Sequence, residues 1–138
     1  MNLDLQAFQD GALNFLLYFG MAAIVLVVFK FLYQMVTPYN EMKLIRGGCT
    51  PAAITFSAAM IGFAIPVAKS ISQATTPLEF LAWAVLAGVL QIVAFLIVRA
   101  LLVKDLAARI ERGELSVAIY LGAVSIAVGL LNAASMTE

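Results

Sequence analysis

The sequence predicts an all-α integral membrane protein, a four-helix bundle of two tandem two-helix repeats with both termini on the non-cytoplasmic side. Three observations carry that reading. Of 138 residues, 64% are hydrophobic and 12% charged, with a mean hydropathy of +1.03; a soluble domain carries about twice that charged fraction. Four apolar runs, each long enough to cross a bilayer, are separated by short polar breaks. And the chain matches itself, without a gap, when slid by 65 positions.

The first run covers 11–36, after a polar start holding Asp4 and Asp10 but no Lys or Arg. A cleaved signal peptide needs positive charge before its apolar run and small residues after it. Here acids come first, and Lys30, Phe31, Leu32 and Tyr33 close the run, so it reads as a retained helix. The break at 37–50, TPYNEMKLIRGGCT, should hold a short helix over 40–46. Asn40 suits its N-cap, Pro38 disfavours helix at Thr37, and Gly47 and Gly48 end it. Pro51 fits the first turn of the second span, which runs to about Ile71. Pro66 should kink that span near its far end, where Lys69 can snorkel.

Pro77 opens the third span, 78–103, with Trp83 as an interfacial anchor. The second charged break, KDLAARIERGE over 104–114, holds an i,i+4 pair, Asp105 and Arg109, and a helix stop at Gly113. The fourth span is 115–136. On it Ala118, Gly122, Ser125, Gly129, Asn132 and Met136 share one narrow, mostly small face at about 100° per residue. In the second span Ala53, Ser57, Met60, Ala64, Val67 and Ile71 occupy the same slots. These two helices are therefore expected to approach closely.

Four spans place both termini on one side. Lys43 and Arg46 lie in the first break, and Lys104, Arg109 and Arg112 in the third, flanked by Lys30 and Arg99. The other side holds Lys69 with Asp4, Asp10, Glu79 and Glu138. The positive-inside rule then puts the basic loops in the cytoplasm and both termini in the periplasm. The whole chain is one transmembrane domain, with repeat one at about 11–71 and repeat two at about 76–136. Identities at the 65-residue offset include Leu13/Leu78, Phe15/Phe80, Ala22/Ala87, Ile45/Ile110, Gly48/Gly113, Ala53/Ala118 and Ile54/Ile119. Repeats of two helices keep their orientation, so an axis along the membrane normal would relate them.

The run TPYNEMKLIRGGCTPAAITFSAAMIGFAIP, then FLAW, then Gln91 to Arg99, then GLLNAASMT, resembles the YjfL-like family of small bacterial inner-membrane proteins. These are built from the domain of unknown function 350, usually as two copies and four helices. Thr37-Pro38-x-Asn40-Glu41 and Asn132-Ala133-Ala134-x-Met136 carry the likeness. Relatives often have Asn in the loop turn, where this chain has Gly47 and Gly48. The resemblance implies an inner (plasma) membrane location and a loose association with envelope-stress and polyamine-related proteins. It implies no activity and supplies no functional residue.

Nothing in the chain reads as a catalytic constellation. There is no His, which removes the commonest metal ligand and general base. The lone Cys49 cannot form an intrachain disulfide and reads as a small loop residue. Lys30, Lys69 and Arg99 lie near span ends, so no ionisable group sits mid-membrane, where proton coupling or voltage sensing would need one. Neither phosphate loop nor metal-ligand spacing occurs, and zero net charge gives no reason to expect nucleic acid. No enzyme activity, cofactor or metal is expected.

What remains are packing or pore-lining candidates: Ser57, Gln91, Gly122, Ser125, Gly129 and Asn132. Gln91 is the polar residue deepest in a span, about 20 Å from the outer end of the third helix and level with Gly122 and Ser125. It reads as interhelical glue or as a pore group. Asn132, about 6 Å from the outer end of the fourth helix, could hydrogen-bond carbonyls freed by Pro66, meet its repeat partner, or face a vestibule. Glu41 and Arg99, both at the cytoplasmic boundary, are a candidate ion pair. The expected partners are the lipid bilayer, further copies of the chain in a homo-oligomer, and an envelope-stress or cytosolic protein. The leading expectation is a non-enzymatic protein acting by association. The alternative is a small channel or transporter with its pathway at the repeat interface or in an oligomer.

Overall fold

In the computed structural model, which describes residues 4–37, 40–101 and 105–136, every element is helical. The expected break at Pro38 and the charges of Lys104 and Glu138 lie outside the described residues. The order is α1 (Leu5–Val36), α2 (Glu41–Arg46), α3 (Thr50–Gln73), α4 (Pro77–Leu101), α5 (Leu106–Glu111) and α6 (Leu115–Ala134). The helices α1, α3, α4 and α6 are each long and apolar enough to cross a membrane.

The local chemistry explains the boundaries. Asp4 accepts from the backbone N–H groups of Gln6 and Ala7 at 3.0 and 3.3 Å, so α1 starts before its apolar run does. Its 32 residues are about 48 Å long, well beyond the hydrocarbon thickness of about 30 Å. Asn40 caps α2 through its side-chain oxygen, which accepts from Lys43 N–H at 3.1 Å. Pro51 sits in the first turn of α3. At the start of α4, Thr76 accepts from Glu79 N–H at 3.1 Å, while the Glu79 carboxylate reaches back to the Thr75 N–H and hydroxyl, a reciprocal arrangement of the capping-box kind.

The two short helices end alike. Gly48 and Gly113 both have φ +85°, the left-handed conformation that glycine adopts without strain. The Cys49 N–H reaches Leu44 O at 2.8 Å and the Glu114 N–H reaches Arg109 O at 3.1 Å, so both turns close with the 6→1 bond of a Schellman motif.

Named contacts define the topology. Tyr18 meets Phe80, Tyr33 meets Phe95, and Arg99 reaches Val36, so α1 and α4 run parallel. Cys49 reaches Ile110 at the head of one pair of long helices, and Ser70 reaches Met136 at the tail; α3 and α6 are therefore parallel too. Phe29 stacks on Phe63 while Tyr33 meets Phe56, which makes α1 antiparallel to α3. The helix pair with most contact is α3 and α6, and α3 also touches α1 and α4. By contrast α1 buries only Ala22, Phe29 and Tyr33. The core is thus centred on α3, with α1 laid against its edge.

Candidate functional site

The tightest place in the bundle lies between Pro66, Gly62 and Gly129. Proline has no N–H, so Pro66 inside α3 leaves the carbonyl four residues back, that of Gly62, without its helical donor. Gly129 of α6 stands directly against that carbonyl. A Cβ built on Gly129 would collide with Gly62 O and lie 2.8 Å from its carbonyl carbon and 2.9 Å from its Cα. Only a Cα–H fits there, and it points at the freed oxygen, a contact worth about 0.5–1 kcal/mol. The relationship is returned one turn away. A Cβ on Gly62 would strike Ser125 O and lie 2.8 Å from the Ser125 carbonyl carbon and 3.1 Å from Gln91 Nε2. A Cβ on Gly122 would lie 3.0 Å from that of Ala58. Gly62 and Gly129 thus let α3 and α6 touch backbone to backbone, and Gly122 admits the Ala58 methyl.

Polar side chains around this contact bond to backbone carbonyls. Gln91, 5% exposed, donates from Nε2 to Ser125 O at 3.3 Å, and its Oε1 is buried without a hydrogen-bond partner. Asn132 donates from Nδ2 to Ala87 O at 3.1 Å. Both tie α4 to α6. Within α3, Thr55 and Ser70 each donate to the carbonyl four residues earlier, those of Pro51 and Pro66, at 2.9 Å. Each such bond removes a donor that hydrocarbon would otherwise leave unpaired.

Of the candidates read from sequence, Gly122 and Gly129 are buried in the α3–α6 contact, and Ser125 enters it through its carbonyl. Gln91 and Asn132 flank it against protein. The structure does not bring Ser57 in: it is exposed, one position away from Ala58, which takes the place in the contact. Asn132 goes to Ala87, whereas the carbonyl freed by Pro66 is met by Gly129. The residue that sequence reasoning missed is Gly62. Its signal was present, a glycine four residues before a proline inside an apolar run.

Glu41 and Arg99 form no ion pair with each other among the described residues. Arg99 lies at the end of α4 and donates from Nη1 to Val36 O at 3.0 Å, satisfying a carbonyl in the last turn of α1. Glu41 is 1% exposed, and among the described residues no group lies within full hydrogen-bond geometry of either carboxylate oxygen. Burial pushes its carboxyl above the ordinary value of 4.5, offset in part by the Thr37 hydroxyl and its own backbone N–H. Among the described residues the ion pair is Arg112–Glu114, at 2.7 Å.

Between the two loop helices lies an open cleft of about 610 Å³, lined in part by Lys43, Gly48, Cys49, Arg112 and Gly113. Cys49 is half-buried, its thiol donating to Ile110 O at 3.3 Å. No three of His, Cys, Asp and Glu come together as a metal site among the described residues.

The matches to known proteins agree with this architecture. Residues 7–136 match the family described as Domain of Unknown Function (DUF350). The chain belongs to the DUF350 family. It is 32% identical over 128 residues to the UPF0719 inner membrane protein YjfL of Escherichia coli strain K12, covering 93% of this chain and 96% of that protein. The same identity and coverage hold for the protein of that name in Escherichia coli O157:H7. No solved structure matches. Membership brings a fold and a membrane setting; the family's function is unknown, and nothing in it indicates an enzyme.

Proposed function

We propose that this DUF350 chain is a non-enzymatic inner-membrane protein that acts by association, with further copies of itself or with an envelope-stress partner. Its basic loops then lie in the cytoplasm and both termini in the periplasm. One observation carries the reading: α1 is attached by a thin buried edge and leaves an exposed face bearing Gly11 and Asn14. A Cβ added at Gly11 would meet nothing within 4 Å. A small residue beside an amide is the combination that lets a second transmembrane helix approach and hydrogen-bond. We infer further that the chain is two tandem copies. In support, α2 and α5 begin 65 positions apart, as do α3 and α6, and α1 and α4 end 65 positions apart.

The channel reading has less support. It needs polar groups along a wetted wall, and the amide N–H groups of Gln91 and Asn132 instead go to backbone carbonyls of neighbouring helices.

Counting photobleaching steps of singly labelled chains taken from native membranes into nanodiscs tests association. More than one step per particle, falling toward one step in Asn14→Leu, is the expected result. A single step throughout, with no partner crosslinked in the membrane, would overturn it. Conductance in reconstituted vesicles that is lost in Gln91→Leu would promote the channel instead.

A further inference from the structure

Glu41 is buried in a way the surrounding packing does not account for. A carboxylate removed from water with no partner is among the costliest groups to bury, and such groups neutralise by taking up a proton. The charged groups on the elements around it do not answer it. On α2, Lys43 and Arg46 are exposed. On α4, Arg99 donates to Val36 O and forms no ion pair with Glu41 among the described residues. Arg109 of α5 is half-buried and forms no ion pair with it, and Lys30 of α1 lies over the Phe31 ring, 5.3 Å from its centroid. Tyr33 stands one turn before Thr37 on the buried side of α1, and α3 has no charged residue before Lys69.

The Thr37 hydroxyl beside Glu41 donates to Gln34 O at 3.1 Å, and its help to the carboxylate only partly offsets the cost of burial. We propose that Glu41 is a proton-binding site and that α2 docks on the bundle with Glu41 as the neutral acid. Ionisation releases that proton to bulk water and leaves a carboxylate that must itself reach water, so α2 has to lift. The raised affinity for a proton that burial produces agrees with this. The seat at the first turn of α2 favours the anion, but a helix of six residues supplies little dipole.

The sign follows from linkage. A carboxyl whose folded pKa lies above its unfolded value contributes fully below the unfolded value, and the contribution is lost as pH rises through the folded one. The full chain in detergent should therefore lose Tm between about pH 5 and about pH 9, on the order of 5 °C. Glu41→Gln, a neutral mimic, should hold its Tm flat across that range. In infrared spectra the wild type should show a protonated-carboxyl C=O band at neutral pH that Glu41→Gln lacks. A flat wild-type Tm, the same slope in Glu41→Gln, or a band unchanged in the variant would overturn the proposal. If Glu41→Gln does not fold, the wild-type band decides alone: its absence at neutral pH rejects the site, and its presence with loss at high pH supports it.

Discussion

Gly129 of α6 stands against the carbonyl of Gly62 that Pro66 strips of its helical donor. A proline inside a transmembrane helix is tolerated where a neighbour re-satisfies the freed group, and here the neighbour is a Cα–H. Gly129→Ala should therefore force the α3 backbone aside and cost about 3 kcal/mol or more, read as a drop in thermal or denaturant stability in detergent. Gly20→Ala is the control. A Cβ there would meet nothing within 4 Å, and removing a mid-helix glycine should leave stability unchanged or raise it by up to about 1 kcal/mol. Equal losses in the two variants would contradict the contact.

The two amides on the α4–α6 seam should behave differently. Asn132→Leu removes the bond to Ala87 O and leaves nothing in exchange, a loss of about 0.6–1.7 kcal/mol by the range for interhelical bonds in membranes. Gln91→Met removes the bond to Ser125 O but also an acceptor buried without a partner. Its net cost should be the smaller of the two. Unfolding of both variants in the same micelle compares them directly, and a larger loss in Gln91→Met would contradict this account.

Arg99 bonds the end of α1 and forms no ion pair with Glu41 among the described residues. Single charge reversals at Glu41 and Arg99 should each destabilise, and reversing both together should recover nothing beyond about 0.5 kcal/mol, the level at which independent sites add. Arg99→Met should lower stability through loss of the bond to Val36 O. A double reversal that restores wild-type stability would show that the two charges meet.

Much of this was legible in the residues, and the reasons for the rest are physical. The inward face of α6 was readable because Ala118, Gly122 and Gly129, with Met136 just past its end, repeat at helical spacing, and all four are buried. Of the matching slots on α3 only Val67 is buried: Ser57 and Ile71 are exposed, and Ala58, Gly62 and Pro66 take the buried places. The reason is that α3 also packs on α1 and α4, which widens its buried arc and turns its centre. The depth of Gln91 placed it level with Ser125, but its acceptor is a main-chain oxygen, which no side-chain pattern reveals. The same blindness hid the partner of Arg99. The start of α1 was misjudged because a helix begins at its cap, Asp4, and not where hydrophobicity begins.

Crosslinking across the α3–α6 contact tests the centre of the account most directly. In a Cys49→Ser background, Ala58→Cys with Gly122→Cys places two thiols where the Cβ positions are 3.0 Å apart, so a parting of the helices by about half an ångström brings them into the disulfide range of about 3.5–4.5 Å. Oxidation in native membranes should bridge this pair within one chain, and should not bridge Ala58→Cys with Ala127→Cys, whose partner residue lies on the exposed side of α6. Bridging of the second pair without the first would contradict the glycine-tight contact on which the packing and the α4–α6 seam depend.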